Sequence, residues 1–333
     1  MSAMEKPVVD VVTVGESMVL FQPMSDGPLQ YSPLFSRSIA GAESNLSIAL
    51  SRLGLRVRYI SRLGTDPFGD LILATLAGEG VDTSFVVRDK TAPTAVYFKE
   101  FKGYGDPNVY YYRKNSAASL LSEEDLQPAW FAGARHLHVT GITPALGQNT
   151  AEFVVKATHK AKEQGLTVSF DPNLRRKLWP EEVARSTLLS LIPRCDVFLP
   201  GIEEAEFLLG SMSVDEFARA FLDMGPRVVC IKLGAKGAVA YTKSGRFEGK
   251  PYAVERIVDT VGAGDSFAAG FLSVLLTHQG AWTDEALRDL LPDSLSRANL
   301  LGALATQWKG DWEGSPRLDE VNRLLAGQSG VTR

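Results

Sequence analysis

The sequence predicts an α/β fold with a mostly parallel central sheet, helices on both of its faces, and a small second sheet standing off it. Three observations predict this. Short valine- and isoleucine-rich runs alternate with stretches of helical period along most of the chain. Those runs are nearly continuous in apolar residues, as strands covered on both faces are. Two segments, 17–38 and 94–113, break the alternation: they are aromatic and turn-rich and lack helical period.

Taken in order, 8–14 reads as a buried strand ending at Gly15. Residues 45–53 read as a helix stopped by Gly54, 56–62 as the next strand, and 67–80 as a helix. Residues 94–101 and 108–113 read as two strands of the small sheet, joined by a turn over 103–107. Later strands fall at 137–140, 167–171, 196–199, 228–232 and 239–242, separated by helices at 150–164, 181–191 and 214–224. In sheets of this kind ligands gather beyond the carboxyl ends of the strands. Gly15, Asp171, Pro200 and Gly234 fall there.

Composition sets bounds. A chain of 333 residues can bury a large core, and its formal charge of -4 argues against a broadly basic nucleic-acid surface. Cys195 and Cys230 are too few and too far apart for a disulfide framework, so buried free thiols are expected. The first residues lack a signal-peptide pattern, and no apolar run reaches the roughly 18 residues of a membrane span. The expectation is a cytoplasmic protein with no membrane and no nucleic-acid partner.

The most informative stretch is Asp259-Thr260-Val261-Gly262-Ala263-Gly264-Asp265, followed by the apolar helical run 266–272. A helix start leaves N–H groups unpaired and carries the positive end of the dipole. Small residues there let an anion approach the backbone. An aspartate inside such a cradle either caps the helix or takes a proton from a hydroxyl as a phosphoryl group arrives. The residues alone allow both. No Gly-x-x-x-x-Gly-Lys-Ser/Thr occurs. Gly262 and Gly264 lack the third glycine of a dinucleotide fingerprint, because Phe267 stands in its place. His136 and His138 share a strand face, and a packed strand is the expectation over a metal pair.

The heptapeptide closely resembles the C-terminal signature of the ribokinase-like (PfkB-type) carbohydrate kinases. The resemblance covers nearly the whole chain, from Gly15 to about Gly314, with the motifs in the family's order. It implies a ribokinase-like three-layer fold over 8–326, with 17–38 and 94–113 forming a discontinuous β-sheet lid that also pairs subunits into a homo-oligomer. It implies Asp265 as catalytic base, with the amides of Gly262, Ala263 and Gly264 as an anion hole. Asp265 is expected to be an ordinary, weakly basic carboxylate, tolerable where proton transfer is late.

Further motifs carry further roles by the same resemblance. Gly41-Ala42-Glu43-Ser44-Asn45 is expected to touch the sugar, and this variant of the motif resembles ketodeoxygluconate kinases more than ribokinases. Tyr110-Tyr111-Tyr112-Arg113 with Ser116-Ala117-Ala118-Ser119 resembles the same subgroup. Strand alternation puts Tyr111 and Arg113 on one face, and a guanidinium suits a sugar carboxylate. A surface salt bridge for Arg113 and simple packing for the tyrosines remain the alternative. The resemblance implies Tyr111, Tyr112, Arg113 and Tyr97 as sugar contacts, and also Asp311, since Lys309-Gly310-Asp311-Trp312-Glu313-Gly314 resembles a C-terminal element of the same subgroup. Asn173 and Arg175, in Asp171-Pro172-Asn173-Leu174-Arg175, are placed where sugar and nucleotide phosphates meet. Lys232-Leu233-Gly234-Ala235-Lys236-Gly237 has the form of the family's nucleotide loop, with a bare hairpin turn as the alternative, and 302–307 is expected beside the adenine.

One departure concerns Glu204, which fits the family's Glu position for magnesium-bound water, while Gly201 stands where an Asn is usual. A water-mediated role is expected for Glu204, with magnesium held mainly by ATP. The implied reaction is transfer from Mg2+·ATP to the C6 hydroxyl of 2-keto-3-deoxy-D-gluconate, with a monovalent-cation requirement left open. A fructokinase is the runner-up. A catalytically silent sugar-sensing protein and a nicotinamide dehydrogenase are the readings from other classes.

Overall fold

The computed structural model describes residues 9–25, 27–101 and 107–327. In chain order the strands are β1 (Val9–Val14), β2 (Met18–Pro23), β3 (Phe35–Ala40), β4 (Val57–Ile60), β5 (Arg62–Gly64), β6 (Val87–Asp89), β7 (Val96–Glu100), β8 (Asn108–Tyr112), β9 (Ala134–Thr140), β10 (Thr167–Asp171), β11 (Val197–Phe198), β12 (Val228–Lys232), β13 (Ala238–Thr242) and β14 (Gly245–Gly249). The helices are α1 (Ala42–Arg52), α2 (Pro67–Gly78), α3 (Gln148–Glu163), α4 (Glu181–Leu191), α5 (Ile202–Leu209), α6 (Val214–Met224), α7 (Ala263–Thr277), α8 (Asp284–Ala305) and α9 (Leu318–Leu325). The expected turn at 103–107 lies, but for Pro107, outside the described residues, as does the tail after Gly327.

Eight strands form the main sheet in the order β14-β13-β12-β11-β10-β9-β1-β4. The six from β12 to β4 run parallel, and β13 and β14 close one edge as an antiparallel pair. Every residue of β1 is buried, as a strand covered on both faces requires. One covering layer packs Trp130, Phe153, Phe170, Phe198, Phe217 and Phe221 into a single cluster. The other packs α1, α7 and α8 through Leu46, Leu50, Phe271, Leu275 and Leu295. Each such side chain contributes roughly 1.5–3 kcal/mol on burial. Both cysteines are buried and free.

Local signals account for several boundaries. Asp66 caps α2 by accepting from the Phe68 and Gly69 amides, with Pro67 at the first position. Ser213 and Glu216 form a capping box at α6. Helix α1 starts three residues earlier than the sequence suggests. Gly41 takes φ 150°, and a Cβ there would lie 2.2 Å from the Glu16 carbonyl oxygen, so the strand-to-helix turn is tighter than a side chain allows.

The second sheet has the order β3-β2-β7-β8 and draws its strands from the two segments singled out as aromatic and turn-rich. Strand β2 pairs antiparallel with β3 and parallel with β7, and β7 pairs antiparallel with β8, setting Tyr97 opposite Tyr111. Met18, Leu20, Ala40, Ala95 and Tyr97 pack beneath it.

His136 and His138 lie fully buried on β9. His136 bonds Thr167 and Ser169 through its two ring nitrogens, and His138 Nδ1 shares Ser169, each at 2.7 Å. Burial pushes the His138 imidazole down to about 3 and His136 well below its usual range. The unfolded chain therefore takes up protons below about pH 6.5 that the native state refuses, and stability falls as pH drops toward 3. In urea titrations between pH 4 and 5.5, His138→Asn is expected to reduce the slope of unfolding free energy against pH by about 1.4 kcal/mol per unit. An unchanged slope would mean that His138 takes up a proton in the folded protein.

Candidate active site

The turn before α7 leaves backbone donors open at the start of the helix. Gly262 caps the helix at φ 83°, and a Cβ there would sit 2.0 Å from the Asp311 carbonyl oxygen, so only glycine fits on both counts. Asp259 Oδ1 accepts the Val261 N–H at 3.1 Å and shapes the turn. The first-turn amides of Gly264 and Asp265 have no intrahelical acceptor and lie at the positive end of the helix. The Ala263 amide, expected in the same hole, instead points to the Thr260 carbonyl at 3.3 Å, a long bond.

Asp265 sits half-buried in this turn with both oxygens held. Asn45 Nδ2 donates to Oδ2 at 2.8 Å, and Asn173 Nδ2 donates to Oδ1 at 3.1 Å. Neither side chain caps the helix, and Asp265 itself accepts no first-turn amide. Burial pushes the Asp265 carboxyl up to about 7; Asp171 and Asp311 push the same way, while the Asn45 hydrogen bond and Arg175 oppose. This corrects the expectation of an ordinary weak base: the carboxylate is poised near neutrality because desolvation outweighs its two donors. Asn173 reaches it from φ 35°, a left-handed position that asparagine tolerates. Asn45 Oδ1 is buried without a hydrogen bond, leaving an acceptor beside the carboxylate for a hydroxyl.

Two cavities meet at this point. A polar one of about 410 Å³ is lined by Tyr111, Asp171, Asn173, Arg175, Glu204, Lys232, Gly262, Gly264 and Asp265. An apolar one of about 670 Å³ is lined by Gly234, Ala235, Gly237, Tyr252, Ile257, Ala263, Phe267, Asn299, Gly302, Ala303 and Thr306. Lys232, Thr260 and Gly264 line both. Lys232 Nζ bonds Asp171 Oδ2 at 2.7 Å. Burial alone would depress this ammonium, yet Asp171 and Glu204 hold it above its usual range. Arg175 is exposed and has no ion-pair partner among the described residues, so its charge is free to meet an anion in the polar cavity.

Several sequence-predicted residues lie elsewhere or have their groups spent. Gly41, Ala42 and Ser44 form the closed turn under α1; Ser44 Oγ donates to the Gly41 carbonyl and accepts from Ser17. Glu43 faces away from both cavities. It accepts from Thr140 and Thr143, and burial pushes it up to about 7. Arg113 lies over the Tyr111 ring at 5.3 Å, on the face alternation assigned, but it is buried in an ion pair with Glu16, which also accepts from Ser116. Tyr112 is 66% exposed and meets Phe98 on the opposite face. Tyr97 is buried and donates to Asp311 Oδ2 at 2.8 Å. Asp311 also binds Lys99, so both its oxygens serve internal contacts. Lys236 is exposed and lines neither cavity. Glu204 does line the polar cavity, but its two oxygens accept the Leu174 and Gly201 amides, clamping the 173–175 loop. Among the described residues no group of three or more His, Cys, Asp or Glu could hold a metal.

Sequence reasoning places Asp171 at the ligand end of its strand and Asp259 in the heptapeptide without a role of their own, and it passes over Lys99, Glu16 and Asn299. Lys99 carries the one available signal: a lysine two residues from Tyr97, on the inward parity of an aromatic strand. Asn299 Nδ2 is buried without a hydrogen bond and lines the apolar cavity.

The description "pfkB family carbohydrate kinase" matches residues 9–317, and the chain belongs to that family. It is 41% identical over 326 residues to a 2-dehydro-3-deoxygluconokinase of Bacillus subtilis (strain 168), covering 97% of each chain. It is 34% identical over 322 residues to a fructokinase-2 of Solanum habrochaites, covering 95% of this chain and 96% of the other. Its fold matches the crystal structure of a fructokinase double mutant from Vibrio cholerae O395, bound to fructose, ADP and a potassium ion. The match has a TM-score of 0.83 and 29% identity, and covers 96% of this chain and 100% of that one. The fold is thus ribokinase-like and the chain a phosphotransferase.

Were Asp265 the proton acceptor in phosphotransfer, its proton affinity would set the pH response of the free enzyme. The form that accepts a proton prevails above about pH 7 and is lost below it. kcat/KM is expected to fall about tenfold per unit as pH drops below 7. A profile flat down to pH 5 would show that no group with the Asp265 affinity governs the reaction.

Proposed function

We propose that this pfkB-family kinase transfers the γ-phosphate of ATP to the C6 hydroxyl of 2-keto-3-deoxy-D-gluconate, giving 2-keto-3-deoxy-6-phosphogluconate and ADP. The reaction type is carried by one observation: a carboxylate of raised proton affinity, held by two amides at the open start of α7. The C6 oxygen forms its bond to the γ-phosphorus, its proton passes to Asp265, and the bond to the β-phosphate oxygen breaks with its electrons on ADP. Such transfers are loose, so catalysis is largely positioning and charge stabilisation. Gly262 and Gly264 bring amides to the transferred group. Arg175 and Lys232 bring positive charge to the same cavity. The apolar cavity suits the adenine, with the Asn299 amide in its wall.

Magnesium, when bound on the ATP phosphates, neutralises their charge. The protein offers it little beyond a Glu204 contact through water, since both Glu204 oxygens already hold backbone amides. The exposed Tyr31 and Leu34 in the β2–β3 connection, with Tyr112 on β8, support a lid that pairs two subunits. No helix among the described residues is long and apolar enough to cross a membrane, and dependence on ATP supports a cytoplasmic site of action.

The substrate rests on the likeness to the 2-dehydro-3-deoxygluconokinase and on the paired Tyr111 and Arg113. A second reading, fructokinase, is favoured by a different observation. Glu16 already matches the Arg113 charge that a sugar carboxylate would need, and 34% identity links the chain to a fructokinase. An ADP-release assay across ketodeoxygluconate, ketodeoxygalactonate, fructose, ribose and adenosine separates them. Ketodeoxygluconate is expected to give the highest kcat/KM, and Arg113→Ala to lower it at least tenfold more than it lowers any activity on fructose. Fructose as preferred substrate, with equal losses on both sugars, would replace the acid-sugar reading with the ketose one. Asp265→Asn is expected to bind sugar and ATP nearly as wild type and to lose at least about a hundredfold in kcat; near-normal turnover would remove it as the base.

A further inference from the structure

Strand β7 carries a lysine where its inward face should be apolar. Lys99 is wholly buried, and its ammonium lies 2.7 Å from Asp259 Oδ2 and 2.6 Å from Asp311 Oδ1. A buried lysine is retained only when paired, and breaking such a pair is strongly destabilising. Its partners shape the phosphate-receiving turn. Asp259 opens that turn and holds the Val261 amide with its other oxygen. Asp311 presses its carbonyl against Gly262, where even a Cβ would clash. Tyr97, two residues before Lys99 on the same strand face, donates to the second oxygen of Asp311. The lid strand, the turn and the C-terminal loop thus converge on one cation.

We propose that Lys99 is a positioning residue whose buried ammonium clasps the lid strand to the turn of residues 259–264 and so fixes that turn for phosphate transfer. The inference rests on the phosphotransfer reading and deepens it by naming what holds the turn in register with the lid. It also gives the site an internal cation. The clasp combines one positive and two negative charges, and without Lys99 both carboxylates stand uncompensated near Asp265. The Asp311 charge already favours protonation of Asp265. The other groups facing Asp265 are Asn45 from α1, Asp171, Asn173 and Arg175 from the segment after β10, and Lys232 at the end of β12. None of them is altered by changing Lys99. Burial alone would depress the ammonium, but Asp311 and Asp259 hold it above its usual range, so the clasp stays charged through neutral pH.

The test is steady-state kinetics of Lys99→Ala and Lys99→Met in the full chain, with Mg2+·ATP and ketodeoxygluconate. Displacing a catalytic turn by an ångström costs about a hundredfold, so kcat is expected to fall about that much, with KM for ATP within about threefold of wild type. The acid limb of kcat/KM should move to higher pH in Lys99→Met. In Lys99→Ala, propylammonium chloride should restore at least about a tenth of the lost turnover, and tetramethylammonium chloride, too bulky to enter, should not. Turnover within threefold of wild type with an unmoved acid limb would overturn the proposal.

Should the single variants not fold, Lys99→Met with Asp311→Asn keeps the net charge of the cluster and removes the clasp. The same loss of kcat is then expected with the acid limb in its wild-type place, and wild-type turnover overturns the clasp. Should wild-type protein release no ADP with any sugar, the proposed function fails on its own. The clasp is then read by amide hydrogen exchange of peptide 258–266, expected to be faster in the double variant; unchanged exchange overturns the clasp.

Discussion

The site depends on one carboxylate being held by two amides from distant parts of the chain. Asn45 and Asn173 are 220 and 92 residues from Asp265 in sequence, and each gives one hydrogen bond to one of its oxygens. That geometry needs α1, the loop after β10 and the start of α7 to meet at one end of the sheet. The loop after β10 lies at the carboxyl end of a main-sheet strand, while α1 enters from β3 of the small sheet, directly after Ala40. The core beneath α7, buried from Ser266 to Leu276, delivers the third. The large hydrophobic layers therefore act on chemistry indirectly, by fixing where three polar side chains converge.

The same convergence sets the electrostatics. A carboxylate with two hydrogen-bond donors would ordinarily become a weaker base. Here desolvation outweighs the donors, and two further acidic neighbours add to it. The positive groups are arranged around rather than upon Asp265. Lys232 is tied to Asp171, and Arg113 to Glu16. Lys99 is tied to Asp259 and Asp311. Arg175 alone among these four cations has no ion-pair partner within the described residues, and it faces the polar cavity. Three of these four cations are matched internally, and the exposed Arg175 is left at the polar cavity.

How much of this the sequence discloses depends on how local the cause is. Helices α4 and α6 have the ends the sequence predicts, because Pro180 precedes one and a Ser213–Glu216 capping box opens the other. Strands β10 and β12 likewise coincide with their apolar runs. The second sheet is legible because its strands lack helical period, although β3 extends to Ala40, past the expected edge at 38. The heptapeptide marks Asp265 correctly as lying at a helix start. What sequence could not give is pairing across the fold. Nothing local says that Glu16 neutralises Arg113 or that Thr140 and Thr143 retain Glu43 inside the protein. Nor does anything local say that Asp311 serves Tyr97 and Lys99 rather than the cavity. The raised proton affinity of Asp265 is hidden from the sequence for the same reason, since desolvation is a property of the assembled site.

The most direct test of the account is a crystal structure of the protein with a non-hydrolysable ATP analogue, magnesium and 2-keto-3-deoxy-D-gluconate. The account predicts the terminal phosphate against the Gly262 and Gly264 amides, and the C6 oxygen within roughly 2.6–3.2 Å of an Asp265 oxygen. A terminal phosphate seated away from the start of α7, or a sugar hydroxyl facing some other carboxylate, would contradict it.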